Sequence, residues 1–265
     1  MKIAIAGKGG VGKTFVAATL SRLLAQDGYR VLAVDADPNL NLAYSLGVDY
    51  EVANNITPLS DNEDLIKEKT GVSPEEALGA MFNMTPNVND VVDRFGVNAP
   101  DDVKLLIMGT VKGGGTGCMC GANAMLRVLI QHMLIQRDEV LVMDMVAGLE
   151  HLGRGTARRM DVMLVVIEPR MKSVDTVRRI LKMANDIKVE TVLAVGNKVM
   201  REKDEAFIYK KMKELNVPVI SMIPYDQAVA DADMEGTPTI DHSPESKAVK
   251  EVKSLEQQLL KHYKP

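Results

Sequence analysis

Short apolar runs punctuate the chain at positions 3–6, 31–34, 105–108, 140–143, 163–167, 191–195 and 219–222, dominated by Val, Ile, Leu, Met and Ala. A strand wetted on one face would alternate apolar and polar residues. Near-continuous runs fit parallel strands covered on both faces instead. Between them, stretches at 13–26, 122–136, 174–187, 205–215 and 245–261 carry apolar residues at helical spacing. The last of these places Val249, Val252, Leu255 and Leu259 on one stripe. Strands alternating with helices predict a doubly wound, mainly parallel α/β sheet of seven or eight strands, because a crossover helix is what joins parallel neighbours. The expected organisation is one domain spanning 1–265. Residues 50–100 are polar, turn-rich and weakly periodic, and read as an insertion beside the sheet.

Composition narrows the function classes. A chain of 265 residues, 46% apolar and 26% charged, can bury a core that needs no disulfides. A net charge of −4 argues against a nucleic-acid or anionic-membrane partner. No apolar run approaches the roughly 20 residues that a membrane span needs. Met1-Lys2 runs straight into a strand pattern without a signal-peptide core, so a cytoplasmic location is expected. His132, His151, His242 and His262 are scattered and show no metal-binding spacing, and the 17 methionines read as core filler.

The first apolar run leads into Gly7-Lys8-Gly9-Gly10-Val11-Gly12-Lys13-Thr14, which fits the phosphate-loop pattern between a strand and a helix. Its glycines let backbone N–H groups face inward around phosphates, and the helix N-terminus adds partial positive charge. Lys13 is placed to reach the β and γ phosphates of ATP, and the Thr14 hydroxyl to hold Mg²⁺. Phe15, next in the helix, completes the nucleotide-binding set. Lys8 is a second lysine in this loop, and here the sequence resembles the MinD/ParA/nitrogenase-iron-protein class of deviant P-loop ATPases. In that class the resemblance implies a lysine that reaches the partner subunit's nucleotide across a face-to-face dimer. Read without it, Lys8 is equally a phosphate contact within its own chain.

Two later segments match the same class. Asp35-Ala36-Asp37-Pro38-Asn39 follows the second run, where a carboxylate sits at the nucleotide crevice. The resemblance implies that Asp37 positions or activates the attacking water and that Asp35 supports the Mg²⁺ shell. Asp144-Met145-Val146-Ala147-Gly148 resembles the second switch, with Asp144 on the Mg²⁺ water shell and the Gly148 N–H on the γ-phosphate. Val195-Gly196-Asn197-Lys198 follows a strand and places Asn197 against a purine. Met200 stands where a guanine-reading protein needs Asp. Guanine would leave two donors unpaired at about 1–3 kcal/mol each, so ATP is favoured. Pro224, Tyr225 and Asp226 complete the adenine pocket by resemblance.

Cys118 and Cys120, the only cysteines, are separated by Met119 in a glycine-rich loop. A disulfide across one residue would be strained, and such a loop offers little burial for two free thiols. A metal site remains, with Ni²⁺, Zn²⁺, Cu⁺ or an iron–sulfur cluster all compatible with thiolates. One pair supplies half of a tetrahedral set, and a two-fold axis would supply four. With Ala122–Arg127 after the cysteines and Leu149-Glu150-His151-Leu152-Gly153-Arg154-Gly155 after the second switch, the chain resembles the carbon monoxide dehydrogenase nickel-insertion ATPases. That resemblance implies a homodimer, formed on ATP or metal binding, that loads Ni²⁺ into a client nickel–iron–sulfur enzyme such as carbon monoxide dehydrogenase or acetyl-CoA synthase. Two other classes stay in view. One is an ATP-gated reductase holding a 4Fe–4S cluster between subunits, against which the two cysteines on one loop argue. The other is a spatial regulator of the MinD/ParA kind, which has no use for such a loop.

Overall fold

The computed structural model describes residues 1–37, 41–71, 90–109, 140–145, 160–187 and 189–263. Among them eight strands form one sheet: β1 Lys2–Gly7, β2 Val31–Ala36, β3 Val97–Asn98, β4 Lys104–Ile107, β5 Val140–Met145, β6 Val162–Ile167, β7 Val192–Val199 and β8 Val219–Pro224. Their order is β3-β4-β2-β5-β1-β6-β7-β8. All pairs are parallel except β3 with β4. The chain builds outward from β1 in both directions, which opens a crevice at the carboxyl end of the central strands.

Alternate residues of the strands feed two cores. Ala4, Ala6, Leu32, Val34, Met143 and Val165 face one side, and Ile3, Ile5, Ala33, Val142, Leu164 and Val166 face the other. This is why the strands read as unbroken apolar runs. The second face is covered by α1 (Lys13–Gln26), α2 (Asn41–Leu46) and the last helix, Lys247–His262, through Val16, Leu20, Leu42, Val252, Leu255 and Leu259. The first face is covered by the helices Met171–Ile187 and Glu202–Glu214, through Val174, Val177, Ile180, Ile208 and Met212. The predicted helix at 122–136 lies outside the described residues.

The described residues within 50–100 form short elements. Helices Tyr50–Asn54 and Glu63–Thr70 flank a 3-10 turn, Leu59–Asp61, and a further helix, Val91–Phe95, precedes β3. Leu59, Leu65, Val91 and Val92 enter the first core, while Val97 and Asn98 extend the sheet antiparallel to Leu105 and Lys104. The described part of this region thus adds to the first core and to one edge of the sheet. It escaped pattern reading because each short helix buries only one or two residues, too few to set a period.

Two features fix the carboxyl-end crevice. Gly7 closes β1 against β6, where a Cβ would come within 2.6 Å of the Val166 carbonyl oxygen. On the far side, β7 gains an extra residue against β8, since Gly196 pairs with Met222 and Val199 with Pro224. Lys198 occupies that bulge at φ 57°. Both irregularities sit beside the loop that follows β1.

Candidate functional site: a nucleotide crevice

The loop 8–12 rises from β1 and turns into α1 at Gly12, whose φ of 96° is costly for any residue with a Cβ. A Cβ there would also collide with the Asn197 amide. Lys13 begins the helix nearly buried, and Val11 is fully buried. Phe15 packs, partly buried, against the second core. Gly9 and Gly10 are exposed, with open space around them.

Asn197, expected against the purine, and its neighbour Lys198 both reach the phosphate loop. The Asn197 amide donates to the Val11 carbonyl at 2.7 Å, and its oxygen accepts from the Lys198 N–H at 2.8 Å. The Lys198 ammonium donates to the Gly10 carbonyl at 2.7 Å. Pro224 pairs with Val199, and the Tyr225 N–H returns to the Val199 carbonyl at 2.8 Å. Tyr225 is 44% exposed, which leaves its ring available beside the strand ends. Both carboxylate oxygens of Asp226 cap helices, accepting from Ala228 N–H at 3.1 Å and Ala248 N–H at 3.2 Å. An open cleft of about 500 Å³ is lined by Tyr225, Asp226, Gln227 and the start of the last helix. A larger cleft of about 580 Å³ lies away from the phosphate loop, among Glu51, Val52, Asn55, Asn62, Phe95 and Val97.

On the other wall, Asp35 and Asp144 are register partners on adjacent strands and are almost fully buried. Asp144 accepts the Thr14 hydroxyl at 2.7 Å through one oxygen, while the other is buried with no hydrogen-bond partner. Burial raises the Asp144 pKa to about 6, against the opposing pull of the Thr14 bond and the Lys13 charge. Burial likewise raises Asp35 to about 7 although it accepts two backbone bonds, from Asp37 N–H at 2.9 Å and Leu42 N–H at 3.1 Å. Those bonds make Asp35 the brace of the turn that carries Asp37 and of the start of α2. The negative charge of Asp37 is close enough to push both buried carboxyls up.

This chemistry fits Mg²⁺. The donors are hydroxyl and carboxylate oxygens, as a hard cation requires, and the unpartnered Asp144 oxygen is a buried acceptor without a donor. A divalent charge would also offset the burial that now favours protonation. Among the described residues there is no cluster of three or more His, Cys, Asp or Glu suited to a metal. Cys118, Cys120 and Gly148 lie outside the described residues.

Glu168 was missed by sequence reading. It directly follows β6 in Ile167-Glu168-Pro169, is 7% exposed, and stands 4.0 Å from the Lys8 ammonium and 3.8 Å from Arg170. The available signal was its position, a charged residue at the carboxyl end of a fully buried parallel strand.

Comparison with known proteins agrees with this geometry. Residues 2–240 match the family described as the CobQ/CobB/MinD/ParA nucleotide binding domain. The chain is 42% identical to an ATP-binding protein of Methanocaldococcus jannaschii, with 98% of each chain covered. It is 40% identical to the carbon monoxide dehydrogenase accessory protein CooC of Rhodospirillum rubrum, covering 92% of this chain and 91% of that one. In fold it is similar to a ParA family ATPase of Chlorobium tepidum, at a TM-score of 0.72 and 17% identity over 97% of this chain and 99% of that one. It is also similar to the Mg-ADP complex of the septum site-determining protein MinD of Pyrococcus horikoshii, at 0.67 and 22% over 97% and 95%. With its phosphate loop, paired buried carboxylates and sheet order, the chain belongs to the CobQ/CobB/MinD/ParA nucleotide-binding family and is a P-loop ATPase of the CooC type.

Proposed function

We propose that the protein is an ATP-dependent homodimeric metallochaperone that assists nickel insertion into a nickel–iron–sulfur client enzyme. The observation that carries this reading is the 40% identity, over nearly the whole chain, to a carbon monoxide dehydrogenase accessory protein. The Cys118-Met119-Cys120 loop supports it, because nucleotide binding alone gives no reason for paired thiols. Carbon monoxide dehydrogenase and acetyl-CoA synthase are both suitable clients.

Within this reading Lys13 meets the β and γ phosphates, and Thr14 and Asp144 hold Mg²⁺ with its water shell. The Mg²⁺ would neutralise charge developing on the transferred phosphoryl group. Asp37 orients the attacking water. Lys8 reaches the nucleotide of the partner, so hydrolysis and dimer geometry are tied together. Cys118 and Cys120 carry Ni²⁺ or Zn²⁺ between subunits. No helix among the described residues is long and apolar enough to cross a membrane.

The test is activation of a nickel-free client with limiting Ni²⁺. The parent protein with MgATP should accelerate activation, and Lys13→Ala or Cys118→Ser should not. Equal activation by parent and Cys118→Ser would sink the proposal.

A further inference from the structure

Asn197 and Lys198 act on consecutive peptide units of the phosphate loop, and each contact is at 2.7 Å. A trans peptide unit points its carbonyl and its N–H in opposite directions. Holding the Val11 carbonyl therefore turns the Gly12 N–H away from Asn197. Holding the Gly10 carbonyl turns the Val11 N–H the other way, where it meets the Lys8 carbonyl at 3.3 Å. The grip also explains the backbone at its source. Lys198 sits at φ 57° in a bulge of β7, a conformation that disfavours a residue with a Cβ unless its surroundings hold it there. That geometry aims two successive side chains at one loop, where a regular strand would send them to opposite faces. The Asn197 amide also occupies the space that a Cβ on Gly12 would need.

We infer that Asn197 and Lys198 are positioning residues that preset the phosphate loop through the carbonyls of Val11 and Gly10, and so set affinity for the phosphate chain itself, whatever base it carries. The inference rests on ATP binding alone and is independent of the nickel reading.

The probe is a ligand with phosphates and no base. Magnesium tripolyphosphate and a non-hydrolysable Mg-ATP analogue are titrated calorimetrically into the full-length parent, Asn197→Ala, Lys198→Met and Lys198→Arg. Both ligands should weaken by the same factor in Asn197→Ala and Lys198→Met, about tenfold for one lost hydrogen bond of this kind. Lys198→Arg, which keeps a donor, should recover most of the loss. Asn197 is buried and its variant is checked by thermal melting. If it fails to fold, the exposed Lys198 carries the test. Amide exchange over residues 9–12 in the nucleotide-free protein should quicken in Lys198→Met. Loss of ATP affinity with tripolyphosphate unchanged would make these residues base contacts and overturn the inference. So would unchanged affinity for both ligands. Weakened ligands with unchanged amide exchange would reduce Lys198 to a diffuse positive charge, which also overturns it.

Discussion

The Lys8 ammonium lies 4.0 Å from the Glu168 carboxylate of its own chain. Glu168 is nearly buried, whereas the Lys8 side chain is 38% exposed, and Arg170 stands 3.8 Å from the other carboxylate oxygen. If Lys8 serves the partner's nucleotide, it must leave Glu168 first. A pair at this separation and exposure is weak, and Arg170 keeps Glu168 company afterwards. Glu168→Gln should therefore tighten ATP-dependent dimerisation by up to about fivefold, the factor that matches a weak ion pair. Lys8→Ala should bind ATP and fail to dimerise. Sedimentation with a non-hydrolysable analogue reads both, and a Lys8→Ala dimer as tight as the parent's returns Lys8 to a contact within its own chain.

The carboxylates of the crevice separate binding from turnover. Lys13→Ala should lose nucleotide affinity, because the main phosphate cation is gone. Asp37→Ala should bind ATP as the parent does and hydrolyse it at least about 100-fold more slowly, as expected when a water-positioning group is removed. Asp144→Asn should bind ATP with its Mg²⁺ dependence blunted, since the carboxylate bonded to Thr14, with its second oxygen unpartnered, becomes a neutral amide. Single-turnover hydrolysis beside equilibrium binding separates the three. Normal hydrolysis by Asp37→Ala would remove the assignment of the first switch.

How much of this was legible in the sequence depends on whether a feature is local. The phosphate loop and α1 were, because Gly12 and Gly28, both in the left-handed region, bracket an apolar-periodic run. Seven of the eight strands were, because a two-sided parallel sheet needs no alternation, whereas the two-residue antiparallel β3 was too short to show. Asn197 was found at the crevice from its motif, and its contact with the phosphate loop was not foreseen. Its amide faces Val11 only because of the extra residue in β7, and that register is a property of pairing with β8. Asp226, placed at the crevice by resemblance, has both oxygens capping helices that begin at Gln227 and Lys247, a role that pattern reading did not show. Glu168 went unnoticed because its partner Lys8 is 160 positions away in sequence.

Glu256, far from the phosphate loop in sequence, gives a pH signature. It is fully buried on the last helix with neither carboxylate oxygen hydrogen-bonded. Burial, helped by the charge of Asp27 and opposed by Lys253, raises its pKa from 4.5 to about 7. The folded protein thus holds a proton that the unfolded chain releases. Its stabilising contribution is complete below pH 4.5 and is lost as pH rises to about 7. The parent should lose melting temperature across that window relative to Glu256→Gln, which has no proton to lose. A constant difference between the two curves would mean that Glu256 titrates normally.

The last prediction concerns Cys118 and Cys120. Two thiolates fill half of a tetrahedral site, and no histidine is close in sequence to add to them. A single chain therefore offers an incomplete site, and a symmetric pair of chains offers four sulfurs. We expect one Ni²⁺ or Zn²⁺ per two chains in anaerobically purified protein. Because thiols must lose protons to bind metal, affinity should fall as pH falls, and binding should release protons. If ATP draws the subunits together, it changes how the four sulfurs meet. Linkage then requires metal to shift ATP affinity by the factor by which ATP shifts metal affinity. Cys118→Ser or Cys120→Ser should lose stoichiometric metal and keep ATP binding, since the phosphate contacts lie on other segments. Elemental analysis beside sedimentation measures both quantities. One ion per chain, or undiminished metal in the double serine variant, would rule out a shared site while leaving the ATPase assignment intact.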